Sequence, residues 1–186
     1  MKPLFAYLKF WWHSKNEHGV HSPFVFDLIT KCFYDRKNHS AYQQLSKNNS
    51  KSKFLIRLSA YFKFRECFIS ETIEPKFQNA LNLERKTYPI RSIHDLINNE
   101  PRISNEPCLI YLDVDSIEAH LITELFKTCH KDSLILIPSI RKTKNQFKCW
   151  NWLKSQSEIS VSIDTFYWGL LFFRTEQPKE HFTIRL

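Results

Sequence analysis

The chain has 186 residues, 42% of them hydrophobic and 25% charged, and its formal net charge is +8. This length fits one main domain, and the basic excess is compatible with an anionic partner or with plain solubility. Lysines and arginines are spread along the chain rather than gathered in a dense run, which argues against a nucleic-acid-binding tail. Only two glycines are present, whereas the usual share of about 7% would give roughly a dozen.

Cysteine usage and hydropathy indicate the compartment. The five cysteines are odd in number and form no C-x-x-C pair, which argues against a disulfide framework and a zinc site. An aromatic amphipathic pattern follows Lys2 in place of a signal peptide, and no apolar run approaches the length of a membrane span. The sequence therefore predicts a cytoplasmic protein without a transmembrane segment.

The first predicted element is a short amphipathic helix over residues 4–12. Its apolar residues recur at helical spacing, with Lys2, Lys9 and Lys15 around them. Such a helix serves either as an interfacial membrane helix or as a lid over a pocket. Because aromatic stripes usually pack, the favoured interpretation is a helix docked on its own domain.

A histidine-flanked turn follows at residues 18–26, with the sequence HGVHSPFVF. Gly19 permits the turn, and Ser22 followed by proline begins a helix that the apolar spacing extends to Tyr34. His18 and His21 are candidate acid/base groups or metal ligands. With no cysteine or third obvious ligand nearby, hydrogen-bonded structural histidines are the favoured alternative.

A polar stretch over residues 38–53 predicts a linker. It divides the chain into an N-terminal helical extension and linker at residues 1–53, and an α/β domain at residues 54–186. The elements predicted in the first half of that domain are a strand at 67–70, helices at 76–83 and 92–98, and a second brief strand at 87–90.

The clearest strand is Leu109–Leu112, which is followed by Asp113 and Asp115. Carboxyl ends of parallel strands form the crevice of an open α/β sheet, so both acids are expected there. The later predicted elements are helices at 116–129 and around 147–153, and strands at 133–137, 159–165, 167–173 and 180–186.

Strands separated by helices of ten or more residues predict an α/β fold with a mainly parallel sheet covered by helices. The strands at 159–165 and 167–173 are joined too tightly for a crossover helix, so they must pair antiparallel. The expected architecture is a Rossmann-like sheet that ends in an antiparallel C-terminal hairpin and carries an N-terminal helical extension.

Three stretches together resemble a known family: HGVHSPFVF at residues 18–26, the strand ending at Asp113, and the C-terminal run at residues 163–185. They are similar to class I S-adenosylmethionine-dependent methyltransferases, in a short bacterial subgroup with an HGVHSPF motif near its N-terminus. The resemblance implies a Rossmann-like sheet with an antiparallel seventh strand, and S-adenosylmethionine as cofactor.

The family's first strand ends in E-x-G-x-x-x-G, where glycines let the backbone approach the cofactor. Here Ile69, Glu71 and Pro75 stand at the acidic position and at the two glycine positions. Glu71 adds a charged side chain, and Pro75 fixes φ and removes a donor. By position, the resemblance makes Glu71, Asp113 and Asp115 the cofactor-binding residues.

Asp113 matches an aspartate that lies near the donor methyl in catechol-type relatives and binds a metal in some of them. Those relatives place further ligands after the fifth strand, where this chain has Pro-Ser-Ile-Arg at residues 138–141. Because a divalent cation needs several oxygen ligands, no metal is expected here. Asp113 and Asp115 are better explained as acids in the first turn of a helix.

Three functions follow. The first is a methyltransferase-like protein with weak or lost cofactor binding, a pseudoenzyme or scaffold with a small-molecule or protein partner. The second is an active methyltransferase of unknown acceptor, in which His18, His21 or Asp113 positions or deprotonates the acceptor. The third is a basic protein that binds nucleic acid or a membrane surface through Lys2, Lys9, Lys15 and the tryptophans between them.

Overall fold

The computed structural model describes residues 3–45, 49–71, 73–84, 90–98 and 106–186. Within them, seven strands form one mixed sheet. The strands are β1 (Glu66–Ile69), β2 (Ile90–Ser92), β3 (Cys108–Tyr111), β4 (Leu134–Ile137), β5 (Val161–Asp164), β6 (Gly169–Phe172) and β7 (Glu180–Thr183). The α-helices are α1 (Pro3–His13), α2 (Pro23–Leu28), α3 (Ser50–Phe62), α4 (Pro75–Glu84), α5 (Ile93–Asn98), α6 (Ala119–Thr128) and α7 (Lys144–Ser155).

The strand order is β2-β1-β3-β4-β6-β5-β7. Strands β2, β1, β3 and β4 run parallel, β6 is antiparallel to both β4 and β5, and β7 is parallel to β5. The predicted α/β fold is confirmed, including the antiparallel hairpin and the additional strand near the end of the chain. Because β1 pairs with β2 on one side and β3 on the other, the chain changes winding direction between β1 and β3.

Two hydrophobic clusters cover the faces of the sheet. Leu109 and Tyr111 of β3 belong to the first cluster, whereas Ile110 belongs to the second, as the alternation of side chains along a strand requires. Helices α2, α3 and α4 pack on the first face, and α5, α6 and α7 on the second. A Cβ on Gly169 would lie 2.6 Å from Trp150, so this glycine lets α7 rest directly on β6.

The N-terminal segment is tied to β7 and to the residues around it. The Lys15 amide donates to the Thr183 carbonyl at 2.8 Å, and the Tyr34 hydroxyl donates to the Arg185 carbonyl at 3.1 Å. Ser22 caps α2 by accepting from the Val25 amide at 3.3 Å, as its sequence predicted. Residues of α2 share the first hydrophobic cluster with the sheet. The domain division at residue 53 stays a prediction.

Several boundaries differ from those predicted. Helix α3 begins at Ser50, inside the predicted linker, because the Asn49 side chain accepts from the Ser52 amide and caps it. Helix α6 begins at Ala119 and not at Ser116, since the residues after β3 form a turn first. Most of the strand predicted at 87–90 lies outside the described residues.

Helix α1 is docked on one side only. Phe10 is buried, and its ring lies 5.3 Å from that of Phe166, while Tyr7 lies 5.0 Å from the same ring. Leu4, Phe5, Leu8, Trp11 and Trp12 remain exposed on this helix, and Tyr7 is 47% exposed despite its contact with Phe166. The interpretation favoured from the sequence, a helix docked on its own domain, therefore holds for one face of α1 and not for the other. Among the described helices, none is long and apolar enough to cross a membrane.

Candidate functional site

The carboxyl ends of β1 and β3 form the switch point of the sheet, where open α/β sheets bind ligands. Ser70 follows β1 directly and is buried. Its amide donates to the Tyr111 carbonyl at 3.0 Å, and its hydroxyl oxygen accepts from the Asp113 amide at 2.8 Å. The two strand ends are therefore tied together by a main-chain bond and a side-chain bond.

Two of the residues in the loop after β1 stand where the resembled family has glycines. Glu71 is exposed, and its carboxylate lies 3.9 Å from the His94 imidazole of α5. Pro75 is the first residue of α4, a position that suits proline because that amide has no partner within the helix. The loop thus carries a charged side chain at one family position and lacks an amide donor at the other.

Asp113 and Asp115 shape the turn after β3. The Asp113 carboxylate accepts from the Asp115 amide at 3.1 Å, and the Ser116 hydroxyl donates to the Asp113 carbonyl at 2.8 Å. The Asp115 carboxylate accepts from the Gln146 side chain at 2.6 Å. Gln146 belongs to the capping box at the start of α7. Asp115 therefore holds α7 against the turn after β3.

No metal centre is formed by the described part of the chain, where no group of three or more histidine, cysteine, aspartate or glutamate residues is arranged to hold an ion. Arg141, which follows β4, is paired with Asp164 in a largely buried double contact. It also donates to the Phe166 carbonyl at 3.2 Å. The Arg141 guanidinium, which follows β4, therefore binds the residues at the end of β5.

A polar cluster lies at the same edge of the sheet. The Tyr167 hydroxyl, from the turn between β5 and β6, donates to the Glu74 carboxylate at 3.3 Å. Glu74 also pairs with Lys76 at 2.6 Å, and the Lys51 ammonium of α3 lies 3.4 Å from the centre of the Tyr167 ring. Burial raises the pKa of Tyr167 to about 12, and burial followed by the charge of Lys76 lowers the pKa of Lys51.

Two residues at this edge have a left-handed backbone without being glycine. They are Ser139, after β4, with φ 54°, and Phe166, after β5, with φ 74°. Such conformations cost free energy and persist only where the surroundings enforce them. At Phe166 the enforcement is visible, since its amide donates to the Asp164 carboxylate at 2.8 Å and its carbonyl accepts from Arg141.

A second candidate site is a cavity of about 260 Å³ beside β7. Its lining residues are His13, Lys15, Gly19, His21, Glu180, His181, Phe182 and Thr183. His181 shares a 2.8 Å hydrogen bond with the Ser162 hydroxyl, and burial, followed by the charges of Lys154 and Lys179, lowers its pKa.

The predicted site residues fall into separate places. His21 lines the cavity beside β7, whereas His18 is exposed and lies 3.6 Å from the Glu17 carboxylate. Asp113 follows β3, which lies four strand positions from β7. At about 4.8 Å per strand, this separation is about 19 Å. The structure therefore places Asp113 beside Ser70 and does not bring it to the histidines.

Sequence reasoning missed Ser70, Lys51, Glu74 and Tyr167 as residues of the carboxyl edge. They come from three segments with no shared motif, and Glu74 and Tyr167 are 93 positions apart. One signal was readable in advance: Ser70 is the last residue of the strand predicted at 67–70, and the carboxyl ends of such strands reach the crevice of an α/β sheet.

Comparisons with known proteins assign neither a family nor a function to the chain. Neither a protein-family model nor a curated protein matches the chain. The function must therefore be argued from the geometry at the carboxyl edge and from the resemblance carried by the sequence.

Proposed function

We propose that this chain is a divergent methyltransferase-like protein in which binding of S-adenosylmethionine is weak or lost, and that it acts as a scaffold or regulatory partner. The observation that carries the proposal is the pair of hydrogen bonds that joins Ser70 to the end of β3 and the residue after it, Asp113. Ligands at a switch point are held by main-chain amides at strand ends and helix starts. Here the Asp113 amide is bound by Ser70, and Pro75 offers no amide.

Packing under α4 supports the same proposal. Phe77 of α4 is fully buried and lies 5.1 Å from the Trp168 ring and 6.3 Å from the Tyr111 ring, measured between ring centres. Helix α4 therefore rests on the sheet through large aromatic rings just beyond the loop that should cradle the cofactor. Glycines in that loop would let a nucleoside approach the backbone. The side chains of Glu71 and Pro75 occupy that space here.

Isothermal titration calorimetry with S-adenosylmethionine and S-adenosylhomocysteine tests the proposal. We expect no saturable heat at micromolar ligand, and a micromolar dissociation constant for either compound overturns the proposal. The double variant Glu71→Gly/Pro75→Gly should bind more tightly than the wild type if the loop is the cause. Glu118→Gly, which lies at the start of α6, is the control for added backbone freedom, and circular dichroism checks that each variant folds.

A second candidate function is an active methyltransferase with an altered pocket. It is favoured by the contact of Tyr167 with Glu74 and Lys51, next to the strained residue Phe166, because strain and shifted pKa values cluster at functional sites. Transfer of a labelled methyl group to small-molecule or macromolecular pools would support it. That transfer should fall in Tyr167→Phe and Asp113→Asn, and a wild type that transfers nothing eliminates this candidate.

A further inference from the structure

The exposed face of α1 is a continuous apolar surface. At about 100° per residue, Leu4, Leu8, Trp12, Phe5 and Trp11 fall within an arc of about 120°. Their exposed fractions are 71%, 55%, 80%, 62% and 50%. The buried Phe10 projects from the opposite side of the helix. The arc therefore points away from the protein, and each of its side chains is at least half exposed.

The orientation of this arc is fixed by contacts at the inner side and at the end of the helix. Tyr7 and Phe10 pack against Phe166, and the Ser14 amide continues the helix by donating to the Phe10 carbonyl at 2.8 Å. The next amide, that of Lys15, joins the edge of β7. The apolar arc is thus held in place before any partner arrives, which lowers the entropic cost of docking.

The border of the arc is basic. Residues 1–16 contain three lysines and no aspartate or glutamate. The Arg185 guanidinium lies 5.0 Å from the centre of the Trp11 ring. On the helix itself, Lys9 is exposed about 40° beyond Phe5, at the edge of the arc. An anionic surface therefore complements this face of the protein.

We propose that α1 docks in the plane of a bilayer surface rich in anionic lipids. Tryptophan, phenylalanine and leucine on one side with lysine at the border is the composition of helices that lie in the interface between headgroups and acyl chains. Eleven residues span only about 16 Å at 1.5 Å per residue, which is too short to cross the hydrocarbon core. A second copy of the chain fits less well, because it would bring two basic borders together.

Vesicle flotation of the full chain tests this proposal. Vesicles of phosphatidylcholine with phosphatidylglycerol should carry the protein, whereas vesicles of phosphatidylcholine alone should carry about tenfold less. Since the Debye length falls from about 10 Å at 0.1 M salt to 3 Å at 1 M, binding should weaken several-fold as salt is raised over that range. Equal binding to both vesicle types, or binding that is indifferent to salt, overturns the proposal.

Two matched pairs of variants locate the contact. Trp12→Ser should reduce vesicle binding about tenfold, whereas Trp152→Ser, which removes a tryptophan 38% exposed on α7, should leave it unchanged. Lys9→Glu should weaken binding more than Lys127→Glu, although both change the net charge equally. Equal losses within either pair overturn the proposal. So does a wild-type dimer that Trp12→Ser converts to a monomer in light scattering, because α1 would then be a contact between copies.

Discussion

The carboxyl edge of β1 and β3 and the outer face of α1 differ in whether their side chains already have partners within the protein. At the carboxyl edge, Ser70 is buried and bonded to β3, and Tyr167 reaches across to Glu74. On α1, five large apolar side chains face outwards, and Trp12 is 80% exposed. The first region is where a family resemblance leads one to look for a ligand, and the second carries no recognised motif.

The difference teaches that a recognisable crevice and an available surface need not coincide. A binding site needs groups that gain a partner when the ligand arrives, because net binding free energy comes from interactions that the free protein lacks. At the edge, Ser70 and Tyr167 already have partners within the chain. The apolar arc of α1 gains a favourable environment only by leaving water.

The largest difference in the free energy of unfolding should be found between variants of two tryptophans. Trp168 is 1% exposed and packs against Phe54, Phe77 and Tyr111, so Trp168→Ala should lower the free energy of unfolding by about 3–5 kcal/mol. Trp12→Ala should change it by less than about 0.5 kcal/mol. Urea denaturation measures both. Similar losses would mean that α1 contributes to the core, contrary to its exposure.

A slightly smaller effect is expected at Arg141, which lies between the end of β5 and the inner side of α1. Arg141→Met leaves the carboxylate of Asp164, whose side chain is 11% exposed, without its cation, and should cost about 3 kcal/mol. Lys131→Met breaks an exposed pair with Glu176 and should cost at most about 1 kcal/mol. Chemical denaturation compares them.

The Arg141 variant should also loosen α1, because Arg141 lies over the Phe10 ring. Hydrogen exchange at residues 7–14 should therefore quicken more in Arg141→Met than in Lys131→Met. Restoring stability by adding Asp164→Asn, which removes the charge and keeps an acceptor for the Phe166 amide, would attribute the loss to the unpaired carboxylate. Failure of that rescue would attribute it to lost packing.

Ser70→Ala should have an intermediate effect. It removes the acceptor of the buried bond from the Asp113 amide and should cost about 1–2 kcal/mol of unfolding free energy. Ser157→Ala, at an exposed serine that bonds its neighbour Glu158, should cost less than about 0.5 kcal/mol. An unchanged midpoint in Ser70→Ala would show that the strand ends do not depend on this hydroxyl.

The last effect should appear only at alkaline pH. Burial raises the pKa of Tyr167 to about 12, above the value of about 10 in an unfolded chain. The folded state therefore holds this proton more strongly, and the stability it contributes below pH 10 is lost as the pH rises to about 12. Ultraviolet difference titration of the wild type against Tyr167→Phe measures it. If Tyr167→Phe removes one tyrosine from the titration near pH 10 and not from the titration near pH 12, the buried contact is contradicted.

The sheet could be predicted where its strands are buried on both faces. β3 and β4 read as runs of apolar residues because every side chain in them is buried. The antiparallel pairing of β5 and β6 followed from their short connection alone. These features depend on local composition and chain length, which a single sequence contains.

The carboxyl edge and α1 could not be predicted in the same way. The bond between Tyr167 and Glu74 joins positions far apart in the chain, and only the folded topology brings them together. On α1, the spacing identified a helix with aromatic residues around much of its circumference. Which of them would be covered depended on where Phe166 placed a partner for Phe10.

The bond between Lys15 and Thr183 also constrains how the chain folds during synthesis. The partner of Lys15 is made about 170 residues later, and a ribosome adds roughly 5–20 residues per second. Residues 14–16 must therefore wait on the order of ten seconds for the strand that receives them. During that interval α1 has neither β7 nor Phe166 to orient it, so Phe10 has no partner ring to cover it.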